Sequence, residues 1–126
     1  GAEGIRAKLL DFGMGRIISR PKKPAGGTYR WMAPGVLGAN SEARAEDDVF
    51  AFGLMAYSAA TCQKPFAQLS DRALRARALG QGGPDPALEW PREMSEFAAL
   101  CKSIAGPCTR RLPAERPPLP RVEEAL

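Results

Sequence analysis

The sequence reads as a mainly α-helical domain gathered around one buried central helix. Residues 46–61, EDDVFAFGLMAYSAAT, are apolar on nearly every face after Asp48, the pattern of a helix enclosed by protein. Within residues 93–105, Phe97, Leu100, Cys101 and Ile104 fall at i, i+3, i+4 and i+7, one face of an amphipathic helix. Against these stands a single alternating stretch, IRAKLL at 5–10, where Ile5, Ala7 and Leu9 are separated by Arg6 and Lys8 with the period of a strand. The expected order is one short strand, a long loop, then four to five helices, with no internal repeat. The 126 residues make one domain or a piece of one.

Each element has a local reason. Residues 13–30 carry Gly, Pro, Ser and basic side chains without periodicity, and a loop of that length inside a compact domain is usually functional or disordered. WMAPGVL, from Trp31, restores bulky apolar residues; Pro34 suits the first turn of a short helix, and Gly35 extends it poorly. In the central helix Glu46, Asp47 and Asp48 crowd the first turn, where negative charge suits the helix dipole. Gly53 in its interior costs about 1 kcal/mol relative to Ala and signals another element packed closely there. Ser70-Asp71 caps a helix over 70–79. GQGGPDP, from Gly80 to Pro86, breaks the chain, and Gly106-Pro107 is expected to stop the helix of 93–105. A Pro-rich stretch, Pro113 to Pro120, leads to a last helix over 120–126.

Composition narrows the function classes. At 44% hydrophobic residues the chain can bury a core, and its net charge of +4 is modest. The basic excess is local: Arg6, Lys8, Arg16, Arg20, Lys22, Lys23 and Arg30 face only Glu3 and Asp11 in the first thirty residues. There is no broad basic stripe with interleaved aromatics, so nucleic acid is not an expected partner. A local anion such as phosphate suits the basic opening better. Cys62, Cys101 and Cys108 are odd in number, without a C-x-x-C pair, and there is no histidine. That argues against a disulfide framework, a zinc site, and Ser-His-Asp or Cys-His chemistry. No apolar run reaches the roughly 18 residues of a membrane span, and no signal peptide is evident. A reducing, cytoplasmic setting is the expectation, and no membrane partner is foreseen.

The order of five pieces carries more than any one of them. DFG stands at Asp11-Phe12-Gly13, GTYRWMAP at Gly27 to Pro34, and DVFAFG at Asp48 to Gly53. Pro65-Phe66 follows, then Cys108 with Arg116-Pro117. In this order and at these spacings the chain resembles the C-terminal lobe of a eukaryotic-type protein kinase domain, from about Ile5 to the end. GTYRWMAP is most similar to the tyrosine kinase-like group, whose members mostly act on Ser and Thr.

The resemblance implies roles. Asp11 would hold Mg²⁺ against the ATP phosphates, a task a hard carboxylate oxygen suits, with Phe12 packing inward and Gly13 as a hinge. Read without the resemblance, Asp11 could equally cap a turn after the strand. Residues 13–35 would form the activation segment, where Ser19, Thr28 and Tyr29 are the hydroxyl residues. Phosphate on Ser19 would draw Arg16, Arg20, Lys22 and Lys23, so Ser19 is the expected site of any regulatory phosphate; a plain solvated basic loop is the alternative. Thr28 aligns with the threonine that helps place the substrate hydroxyl, or is a turn residue after Gly26-Gly27. Trp31 and Met32 read as core anchors. Asp48 would bond the backbone of the catalytic loop; as a simple helix-start acid it is no different from Asp47.

Two departures shape the functional expectation. The family's Ala-Pro-Glu is here Ala33-Pro34-Gly35, although Arg116, the usual partner of that Glu, is present. Removing one partner of a buried pair typically costs about 3–5 kcal/mol. Arg116 should therefore find another acid, with Glu115 and Glu42 the candidates, or turn to solvent, or leave the domain unstable. On this reading Gly35→Glu should raise the melting temperature. The chain also lacks a glycine-rich loop, the β3 lysine and, having no His, a His-Arg-Asp loop, so no general base is present. The parent protein is expected to transfer the ATP γ-phosphoryl group to Ser/Thr of a protein substrate in signalling. This chain alone is expected to be inactive and to bind ATP and Mg²⁺ weakly. The alternative is a degenerate, pseudokinase-like interaction module for a signalling partner.

Overall fold

The computed structural model describes residues 26–38 and 44–125. The expected strand at 5–10, the Asp11-Phe12-Gly13 triplet, Ser19 and Glu42 lie outside them. The described residues are mainly helical and contain no strand. A 3-10 helix, Gly26–Trp31, comes first. It is followed by α1 (Ala45–Thr61), α2 (Asp71–Ala78), α3 (Glu96–Cys108), a 3-10 turn (Pro113–Glu115) and α4 (Leu119–Ala125).

Helix α1 is the spine. Val49, Phe50, Ala51, Gly53, Leu54 and Tyr57 are all buried along it. One core cluster joins Phe50 and Leu54 to Tyr29, Met32, Ala33, Phe66, Leu74 and Ala78. A second joins Val49 to Ile104, Cys108 and Val122. The central helix is thus covered from two sides, which is why its sequence lacks a polar face. It ends at Cys62, whose left-handed φ of 56° turns the chain while its N–H bonds the Ser58 carbonyl at 2.8 Å. Met32 sits in the first cluster and Trp31 packs against it, as core anchors do.

Two serines set the starts of the shorter helices. Ser70 Oγ accepts from the Ala73 N–H and Ser95 Oγ from the Ala98 N–H, both at 3.1 Å. The second cap moves the start of α3 to Glu96, three residues beyond the expected position. The helix also runs past Gly106-Pro107 to Cys108. Pro107 stands in the last turn, where it removes only its own N–H. The Thr109 N–H still reaches the Ala105 carbonyl at 3.0 Å, and Thr109 Oγ1 bonds the same oxygen at 2.7 Å.

The buried face of α3 also differs from the expected stripe. Phe97 and Leu100 are 59% and 43% exposed, while Ala98, Cys101, Ile104, Ala105 and Cys108 face inward. The C-terminal end of α3 lies tight against Gly53 of α1: a Cβ built there would stand 2.7 Å from Thr109 Cγ2 and 2.8 Å from Cys108 Cβ. Two backbones approach that closely only through small side chains, which Ala105 and Cys108 supply there.

Pro34 opens no helix. Residues 34–37 form a turn, with Gly35 at φ +78° and the Gly38 N–H on the Gly35 carbonyl at 2.9 Å. That positive φ is incompatible with a helix and is adopted most readily by glycine. The 80–95 stretch is tethered back to α1 by Tyr57, which donates to the Glu89 carbonyl at 3.0 Å and meets Trp90 edge-on at 5.1 Å. Among the described residues no helix is long and apolar enough to cross a membrane.

Candidate functional site

The part of the predicted activation segment that the structure describes is 26–35. The backbone of Thr28 lies in the 3-10 helix. Tyr29 is buried in the first core cluster. Arg30 Nη1 donates to the carbonyls of Pro65 at 2.9 Å and Phe66 at 3.0 Å. Those carbonyls are presented by a sharp turn in which Phe66 itself takes a positive φ of 56°. The resemblance drew attention to Pro65-Phe66 as a motif; its visible task is to receive Arg30.

The residue that sequence reasoning missed is Arg77, on α2. Its side chain is only 3% exposed, and it meets Asp85 in a bidentate pair, Nε to Oδ1 at 2.8 Å and Nη2 to Oδ2 at 2.9 Å. Its guanidinium also lies 4.4 Å from the Phe66 ring centre, and Nη1 donates to the Tyr29 carbonyl at 3.3 Å. Asp85 falls in the turn-rich stretch after α2, where the sequence shows only a chain break. A polar partner eight residues away across three glycines leaves no periodic signal.

Arg116 is buried and anchored at the first turn of α1. Nε donates to the Arg110 carbonyl at 2.8 Å, Nη2 to that of Arg111 at 3.0 Å, and Nη1 to that of Glu46 at 2.8 Å. Asp47 Oδ1 stands 3.6 Å from Nη1, and the Phe50 ring centre 4.9 Å from the guanidinium carbon. Of the expected acids Glu115 is exposed and Glu42 lies outside the described residues, among which the carboxylate beside Arg116 is that of Asp47. Asp47 wins because the first turn of α1 faces inward at that position, beside the point where residues 110–116 cross. Burial pushes the Asp47 carboxyl above its ordinary range, against the pull of Arg44 and Arg116. Burial likewise draws Arg116 below its usual value while Asp47 opposes.

Asp48 is half-buried, and its Oδ1 has no hydrogen-bond partner among the described residues; Asp47 Oδ2 has none either. Burial, and then the charge of Asp47, raise the Asp48 carboxyl above its ordinary range. Buried polar atoms nearly always find partners, so these two oxygens mark where α1 is polar without an answering group in residues 26–38 and 44–125.

Gly35, the position of the missing family Glu, lies against the end of α2. Its N–H donates to the Arg77 carbonyl at 2.9 Å, and a Cβ there would stand 3.9 Å from Gly80 Cα. No group of three or more His, Cys, Asp or Glu side chains among the described residues could hold a metal ion. Cys62, Cys101 and Cys108 are free thiols, and only Cys62 is exposed.

Comparison with known proteins agrees with this architecture. Residues 2–125 match the family model described as Protein kinase domain. The RAF proto-oncogene serine/threonine-protein kinase of Xenopus laevis is 26% identical over 98% of this chain and 20% of its own length. The serine/threonine-protein kinase CTR1 of Arabidopsis thaliana is 30% identical over 94% of this chain and 14% of its own length. A putative mitogen-activated protein kinase kinase kinase 7-like protein of Drosophila melanogaster is 27% identical over 94% of the chain and 30% of its own length. The chain thus spans less than a third of each of these relatives, and nearly all of its residues align. By that match the chain belongs to the protein kinase domain family.

Proposed function

We propose that this chain is the C-terminal part of a Ser/Thr protein kinase domain, in a parent protein that transfers the ATP γ-phosphoryl group to a hydroxyl of a protein substrate. What supports the reading is the family match over residues 2–125 together with relatives named as serine/threonine kinases. In the complete domain Asp11 would supply a carboxylate to hold Mg²⁺, which would contribute positive charge beside the phosphates. Residues 13–35 form the activation segment. Ser19 is its phosphate acceptor; Tyr29, being buried, is a poor one in the folded protein. Asp48 takes its partner from a segment outside the described residues, which accounts for its unanswered oxygen.

The 126 residues contain no His-Arg-Asp loop and no β3 lysine. Kinase catalysis rests on positioning and electrostatics that those parts supply, so the chain by itself transfers no phosphate. The test is phosphotransfer from radiolabelled ATP to a generic protein substrate by the parent protein and by its Asp11→Asn variant. Activity that falls at least a hundredfold in the variant supports the reading, and activity indifferent to Asp11 overturns it.

A second reading, a kinase-like interaction module, is favoured by Gly35. The family acid is absent, and Arg116 is satisfied without it. A parent with no phosphotransfer under any condition, yet a stable complex with a signalling protein that depends on this lobe, would establish it.

A further inference from the structure

Two buried arginines lean on the same ring. Arg77 and Arg116 have their guanidinium carbons 5.7 and 4.9 Å from the centre of Phe50. Their polar contacts divide. Among the described residues Arg116 bonds to Glu46 and Asp47 of α1 and to Arg110 and Arg111, between α3 and the 3-10 turn. The long-range polar bonds of Tyr29, Arg30, Gly35 and Leu37 run instead to positions 65–66 or 77–78. Arg77 Nη1 donates to the Tyr29 carbonyl at 3.3 Å, the Gly35 N–H reaches the Arg77 carbonyl at 2.9 Å, and the Leu37 N–H reaches that of Ala78 at 2.8 Å. Arg30 reaches Pro65 and Phe66, and Phe66 is the ring that Arg77 covers most closely.

We propose that Arg77, locked by Asp85, is the positioning residue that docks the 29–37 segment onto the helical core, and that Arg116 has no part in that docking. The lock lies in the turn after α2. Gly80 and Gly83 take φ of +81° and +72°, which folds the chain back on itself. Gly82 lies so close to Arg77 that a Cβ would meet its Cα and N at 3.2 Å. This reversal brings Asp85 onto the guanidinium, and among the described residues Asp85 is the acid paired with it. A buried guanidinium that loses its carboxylate must turn toward water, since an unpaired buried charge is expensive. In turning it leaves the Tyr29 carbonyl and the Phe66 ring, so the segment loosens while the α1–α3 interface, built at Gly53, is untouched. That the segment faces a protein substrate rests on the reading above; the docking does not, and the two fail separately.

The test is amide hydrogen exchange on the full chain, read residue by residue, for wild type, Asp85→Asn and Asp85→Glu. The expected result for Asp85→Asn is a loss of protection of about tenfold or more at Tyr29 to Leu37, with α1 and α3 within about twofold of wild type. Asp85→Glu, which keeps the charge, should recover most of it. Gly82→Ala is an independent second variant: it pushes the turn off Arg77 without removing any charge and should open the same amides. Three results overturn the proposal: equal loss across segment and core, no loss in the segment, or wild-type segment amides that exchange as fast as an unstructured peptide. An Arg116→Met variant that selectively opens 29–37 would overturn it too. A parent protein that transfers no phosphate leaves these exchange results standing, since none of them reads activity.

Discussion

Arg116 and Asp47 face each other at 3.6 Å inside the protein, the guanidinium held by three backbone carbonyls and the carboxylate by little else. The carbonyls orient the cation and Asp47 balances its charge. Replacing Arg116 by Met leaves the buried Asp47 carboxylate with the pull of Arg44 but no paired cation, and three carbonyls without a donor. The expected cost is about 3–5 kcal/mol, a fall in Tm of roughly 10 °C or more. Because the stranded carboxyl can escape by protonating, the loss should be largest near neutral pH and shrink toward pH 4. Thermal melts across that range check both statements.

Asp48→Asn should have the opposite effect. Burial, and then Asp47, raise the carboxyl of Asp48 above its ordinary range, so the folded state prefers it neutral. A raised group contributes its full stability below the unfolded pKa and loses it as pH rises through the folded one. At pH 7 the ionised Asp48 therefore burdens the chain. The amide removes that burden and should raise Tm by roughly 2–4 °C. Its advantage should disappear below about pH 4. A variant that melts lower than wild type at pH 7 would mean that Asp48 has a partner within this chain.

Gly35→Glu was attractive on sequence grounds as the restoration of a family pair. The structure turns the expectation round. Gly35 holds φ +78°, and Arg116 is already satisfied by Asp47 and three carbonyls. Forcing a side chain into that conformation costs about 1–2 kcal/mol and restores nothing. Tm should drop by roughly 4–8 °C, and an increase would show that the new carboxylate reaches a cation.

Gly53→Ala should destabilise despite the better helix propensity of Ala. The gain is about 1 kcal/mol. Against it, the new methyl meets Cys108 Cβ at 2.8 Å and Thr109 Cγ2 at 2.7 Å, so α1 and α3 must part. Overpacking of this kind costs about 1–3 kcal/mol. Chemical denaturation should show a lower midpoint with an unchanged slope.

The three thiols should differ in reactivity. Cys62 is exposed, whereas Cys101 and Cys108 are buried, and burial pushes the Cys108 thiol up to about 11. Since the thiolate is the nucleophile, an aromatic disulfide reagent should modify Cys62 alone in the native protein and all three after denaturation. Rapid native labelling of Cys108 would show that the α1–α3 contact opens.

Helix α1 was legible because its evidence is local: a long apolar run with acids at its first turn. Ser70 and Ser95 are equally local signals, and the first marked its helix while the second went unread three residues inside an expected helix. The family itself was legible as well, because ordered motifs such as GTYRWMAP and DVFAFG survive in sequence. What the chain cannot display in one dimension is pairing between distant turns. Asp47 and Asp48 look alike in sequence, two acids at a helix start, yet the direction of the first turn sets Asp47, and not Asp48, beside Arg116. Phe97 and Leu100 hold the same period as Cys101 and Ile104, yet packing buries only the latter two. Arg77 carried no signal at all, because its meaning depends on a glycine turn that brings Asp85 back across it. Periodicity and motif order, being properties of neighbouring residues, specify which helices form and to which family they belong. Which charges are neutralised, and what holds the 29–37 segment in place, follow from how the helices pack, since Coulomb and steric terms act through space and not along the chain.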